Sequence, residues 1–295
     1  MTDSFVDLVT RLSERPQIAD PDHWEAMARE GQELIRRSRE DGDADAANRA
    51  WHVTMVASTR AASCRLFLQL RDGDFLGAWR ALEQVEKMCE ALRVNAILDD
   101  TFAIGALART VADWQELYPY TVFASPEMII KRQECTICDA PVSPMRPCGH
   151  LAGRVYAGEM SSRRITDFEA VSIALVRDPV QKYSVLIPDP DPHDYAVVRF
   201  VLDRLAGPFS PWRLVKTTIM HDHALFESWA RDGDCPCHSG MTYADCCALR
   251  LGVVMPHNHI RFAEPPPPHL PDMLVRRRRS ARDEMEDVTI RRVTE

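Results

Sequence analysis

Residues 234–247 read DCPCHSGMTYADCC and place four cysteines and a glycine within one short loop. Four thiols this close can serve a disulfide knot, a redox device or a metal, and the choice decides what kind of domain surrounds them. A redox pair favours C-x-x-C spacing, whereas Cys235 and Cys237 are only two apart. A disulfide framework belongs to an oxidising compartment. Four thiolates can instead meet one tetrahedral zinc if the chain reverses between Cys237 and Cys246, which Gly240 permits at positive φ. Adjacent Cys246 and Cys247 can both face a metal only where the backbone turns sharply, as at the first turn of a helix. Such a site is closed, because four sulfurs leave no position at which a bound water could be activated.

The stretch resembles the SEC-C motif, the small zinc-binding element at the carboxyl end of the bacterial preprotein translocase ATPase. Cys235, Pro236, Cys237, Ser239, Gly240, Tyr243, Cys246 and Cys247 carry the likeness. The resemblance implies four thiolate ligands and, as in the translocase, docking to a partner protein or the ribosome. His238 stands where the motif usually has glycine. Met241, Thr242, Ala244 and Asp245 replace its usual lysines, so this knuckle is neutral to acidic and gains little from an acidic partner.

A second group lies upstream in ECTICDAPVSPMRPCGH, residues 134–150. Cys135 and Cys138 form half of a zinc knuckle, and Cys148 with His150 supplies the rest, giving a three-cysteine, one-histidine structural site. Gly153, Tyr156, Gly158 and Glu159 follow in a glycine-punctuated segment suited to a hairpin. This block resembles a bacterial and phage-associated pattern, C-x-x-C…C-x-H-x-x-G-x-x-Y-x-G followed by a strand. There a further cysteine often follows the second glycine, where this chain has Ser161 and Ser162. The expectation is two zinc ions per chain, on Cys135, Cys138, Cys148 and His150 and on Cys235, Cys237, Cys246 and Cys247. The remaining thiols, Cys64 and Cys89, fall in apolar helical surroundings and read as buried.

Around these groups the chain has 295 residues, 45% hydrophobic and 27% charged, the composition of a soluble globular protein. The opening MTDSFVDLVTRLSERP has early acids and no unbroken apolar run, and no membrane span is readable. The expected location is the cytoplasm. A net charge of -8 argues against broad nucleic-acid binding, which depends on neutralising phosphates.

Residues 1–118 read as helix. One helix spans Asp22–Arg39, with Asp22 as its cap. A second runs from Asp43 to Leu70 and stops at Gly73. A third carries Phe75, Trp79, Leu82, Val85, Cys89 and Leu92 on one face, and a fourth covers Ala96–Leu117. Such stripes must bury against each other, giving a bundle over residues 1–125. Residues 126–262 are expected to form a zinc-binding α+β domain, an α+β fold class overall. Ala170–Val176, Tyr183–Pro188, Trp212–Met220 and Leu251–Met255 read as its strands, and Asp194–Leu205 as its helix. Residues 263–295, opening with Pro265–Pro268, read as a disordered tail whose Arg276, Arg277, Arg278 and Arg279 make weak nucleic-acid contact conceivable.

Histidines supply the rival to a purely structural role. His221 and His223 lie two apart after a strand, and with His257 they suit an open metal site in a hydrolase or nuclease. The plainer alternative packs His221 or His223 beside the knuckle, with His257 near it. No G-x-S-x-G elbow, H-E-x-x-H or phosphate-cradling glycine loop occurs. The leading expectation is a non-enzymatic zinc protein that recognises a protein partner. An adaptor using its arginine tail is a further alternative.

Overall fold

The computed structural model describes residues 3–14, 18–98, 102–263, 273–278 and 285–290. After α1 (Asp3–Glu14), Asp20 turns the chain into α2 (Pro21–Glu40). Its carboxylate accepts from the N–H of Asp22 at 3.0 Å, so Asp20 and not the expected Asp22 is the cap. Pro21 then occupies the first helical position, where a missing N–H costs nothing. Asp43 caps α3 (Ala44–Asp72), which ends as expected at Gly73 in the left-handed conformation. Asp74 caps α4 (Phe75–Val94), and α5 (Ile104–Leu117) completes the bundle.

Close approach of α2 and α3 depends on Gly31. A Cβ there would lie 2.2 Å from the Thr54 hydroxyl, so only glycine lets the two helices meet. Trp24, Met27, Val53, Val56 and Leu82 fill the interior, and Cys64 and Cys89 are buried as expected. Arg60 is buried too. It donates to the Leu12 carbonyl at 2.6 Å and lies 4.8 Å over the Trp24 ring. Burial lowers its pKa to about 10.

A mixed α/β region carrying both cysteine groups follows the bundle. Its first part is a two-stranded antiparallel ribbon of β1 (Phe123–Cys135) and β4 (Arg163–Val176). The short hairpin β2 (Val155–Tyr156) and β3 (Glu159–Met160) lies between them in sequence. The strand expected at Tyr183–Pro188 does not form. Lys182–Ser184 is instead a 3-10 turn, because α4 captures it. The Trp79 indole N–H donates to the Lys182 carbonyl at 2.6 Å, and the Lys182 ammonium meets Glu86 at 2.6 Å.

The chain divides into two compact units, one of residues 1–116, 120–191 and 207–209, the other of 117–119, 192–206 and 210–295. The second contains α6 (Ala196–Leu202), β5 (Trp212–His221), β6 (Val253–Phe262), β7 (Met273–Arg278) and β8 (Met285–Ile290). The expected helix at Asp194–Leu205 shrinks to α6, though Asp194 does accept from the Ala196 N–H at 2.8 Å. Val197, Val198, Val201, Leu202 and Leu205 are buried as its periodicity demands. Strand order is β5-β6-β8-β7, with β6 and β8 parallel and the other pairs antiparallel.

Within the stretch expected as a tail, β7 and β8 are thus paired strands. Pro265–Pro268 and Arg279 lie outside the described residues. Register sets Arg276 opposite Asp287, Arg277 opposite Glu286 and Arg278 opposite Met285. Among the described residues no helix is long and apolar enough to cross a membrane.

Candidate metal centres

The ligating atoms of Cys135, Cys138, Cys148 and His150 all lie within 4.8 Å of one another. Each residue reaches that point through a different local device. Cys135 ends β1, and the chain turns back through Asp139 at positive φ. Gly149, at φ +90°, makes the tight step between Cys148 and His150, whose Sγ and Nδ1 are 3.9 Å apart. The His150 ring meets Tyr156 edge-on at 4.7 Å, and its carbonyl accepts from Arg163.

Burial pushes the Cys135 thiol up, but hydrogen bonds from the N–H groups of Ile137 and Cys138 and from Ser161 outweigh it. The net result is a pKa lowered to about 6. Ser161 is fully buried with its hydroxyl 3.8 Å from Cys135 Sγ. It stands where the resembled pattern has a further cysteine. His150 completes a four-donor set without it.

The first cluster is fastened to the bundle. Asn95 on the C-terminal cap of α4 donates to the Gly153 carbonyl at 2.7 Å and accepts from the Val155 N–H at 3.0 Å. Asn48 on α3 accepts from Gly158 N–H at 2.8 Å, and Arg39 donates to the Ala157 carbonyl at 2.6 Å. Neither asparagine is visible from sequence, since each looks like an ordinary helix-surface residue.

Cys235, Cys237, Cys246 and Cys247 form the second cluster, again within 4.8 Å. Cys237 Sγ lies 3.4 Å from Cys235 Sγ and 3.5 Å from Cys246 Sγ, far beyond a disulfide bond of about 2.05 Å. All nine cysteines are free thiols. Sulfurs bound at about 2.3 Å to a tetrahedral zinc sit about 3.8 Å apart, which this arrangement fits. Cys247 opens a 3-10 turn, the sharp helical start that adjacent ligands require.

Burial raises Cys237, yet donors from Ser239, Cys235 and Cys246 bring it down to about 6. Burial drives Cys247 up to about 12. Phe226, Tyr243, Val253 and Met255 pack around the four sulfurs as a small core. Both donor sets have four members and are soft, sulfur-rich and suited to zinc.

The three histidines do not gather. His223 belongs to the knuckle's support, with Nδ1 2.6 Å from the Tyr243 hydroxyl and Nε2 2.9 Å from the Arg250 carbonyl. His221 pairs with Val253, while His257 pairs with Thr217, four rungs away along the β5–β6 ladder. Among the described residues, the groups of three or more potential ligands are the two cysteine clusters.

The family described as "SEC-C motif" matches residues 234–249. No curated protein and no solved structure matches the chain.

Proposed function

We propose that this is a non-enzymatic, cytoplasmic zinc protein in which two structural zinc ions shape surfaces that recognise a protein partner. The observation that carries this reading is the completeness of both donor sets: four ligands each, with no place for water or substrate on the metal. Zinc here acts through folding, joining loops that have little core of their own.

Protein recognition is supported by what flanks the second knuckle. Leu225, Met241, Leu249 and Leu251 are exposed there, Leu251 at 93%. Met241 and Ala244 stand among the positions where the resembled motif has lysines, so the contact rests on apolar groups more than on charge.

Metal analysis tests the scaffold: two zincs per chain are expected, each released as the cysteines of its own cluster are modified. A third, easily chelated metal that disappears in His221→Ala would overturn it. A photo-crosslinker at Leu251 tests the partner. One defined protein should be captured, and Leu249→Ser should abolish the capture; a crosslink pattern unchanged by that substitution refutes the surface.

A further inference from the structure

The β1–β4 ribbon carries an apolar face that stays exposed among the described residues. Along β1, Ala124, Pro126, Met128 and Ile130 share one side by strand alternation. Their partners across the ladder are Leu175, Ile173, Ala170 and Phe168. A register shift at Glu127/Met128 absorbs Val171 and keeps those partners on the same side. The opposite side mixes Ile129 and Ala174 with polar groups: Ser172 donates to Glu127 at 2.8 Å, and Lys131 meets Glu169 at 2.8 Å.

On the apolar side Met128 is 39% exposed, Ile130 46%, Phe168 55%, Leu175 70% and Ile173 73%. At about 200 Å² for a large side chain, this is on the order of 550 Å² of bare apolar surface. A lone two-stranded ribbon is marginal in water, and a patch of this size is at the upper end of what a monomer exposes and is often functional.

We propose that a second copy of this chain covers the face, two ribbons stacking into a four-stranded sandwich and making the protein a homodimer. Two features select a second copy over an unlike partner. First, the face bears no charged residue, so it offers no handle for electrostatic choice of a different protein. Second, two copies of the face related by a two-fold axis lying between them make an isologous contact that closes at two and buries on the order of 1,100 Å² in total, above the roughly 1,000 Å² that a specific interface needs.

Sedimentation velocity on the zinc-loaded full chain tests this, independently of the metal reading. The wild type should sediment at dimer mass, and Phe168→Glu/Ile173→Glu should halve that mass with unchanged circular dichroism and zinc content. Ile129→Gln, 55% exposed on the opposite side, should stay dimeric. Wild-type monomer at every concentration would overturn the proposal and leave the face to another protein. A dimer that survives the double substitution, or that Ile129→Gln dissociates equally, would overturn it as well.

Discussion

The backbone N–H of Gly158 donates to Asn48 Oδ1 at 2.8 Å, and through this bond the turn of a metal-cluster hairpin sits directly on the third helix of the bundle. Ala157 at φ +47° and Gly158 at φ +75° form the two central positions of that turn, the pattern of a type I′ hairpin. A Cβ on Gly158 would meet Ile35 Cγ2 at 2.6 Å and the Ala47 carbonyl at 3.0 Å. Gly158→Ala therefore combines backbone strain with overpacking and should cost about 2–3 kcal/mol in chemical unfolding. Ala157→Asn, which suits positive φ, should instead stabilise by about 0.5 kcal/mol. Loss of stability in both, or in neither, would contradict this account of the turn.

His238 is at φ +63°, a conformation that costs an ordinary residue about 1 kcal/mol and glycine almost nothing. The resembled motif has glycine at this position, so the departure read from sequence is a strained departure. Its N–H still donates to the Cys235 carbonyl at 3.0 Å, which any residue supplies. His238→Gly should raise the melting temperature of the zinc-loaded protein and tighten zinc at the second cluster up to about fivefold, equivalent to about 1 kcal/mol. Competition with a chromophoric chelator reads the difference, and weaker binding would show that the imidazole itself contributes.

What sequence made legible follows from how local each signal is. The SEC-C spacing, the Cys148-Gly149-His150 step and the α4 stripe are all set within a few residues, and each appears where expected. β1 went unread because Pro126 and a charged stretch at 131–134 break its alternation. Proline is tolerated there because each strand of a two-stranded ribbon keeps one open edge. Tyr183–Pro188 has strand composition, but Glu86 and Trp79 on α4 decide its conformation. The histidine triad failed for a similar reason: sharing a strand face does not bring residues together when register holds them four rungs apart.

The two clusters differ in exposure, and this sets an order of metal release. Cys138 is exposed and Cys148 and His150 are half-buried, whereas Cys235, Cys246 and Cys247 are buried. A chelator at neutral pH should empty the first cluster before the second. Thiol titration of the folded protein after complete chelation should find the seven clustered thiols. Cys64 and Cys89 should stay silent until denaturant is added, since burial raises both to about 12 and leaves no thiolate to react. Early release from the second cluster, or reactive Cys64 in the native state, would contradict the burial described.

His52 gives the bundle a pH dependence whose sign can be worked out. Burial disfavours its charged form and lowers its pKa below 6.5, against a smaller opposing hydrogen bond at Asn95. The unfolded chain then binds the proton more readily than the folded one, so stability is complete above the unfolded value near 6.5. It declines as pH falls from there toward the lowered native value. The His52 ring, beside Phe102 at 6.2 Å, should titrate by NMR below 6.5. His52→Gln should flatten the acid limb of bundle stability without altering zinc content. A His52 midpoint at or above 6.5 would show that the ring is solvated, and that the interior around α3 is looser than its packing indicates.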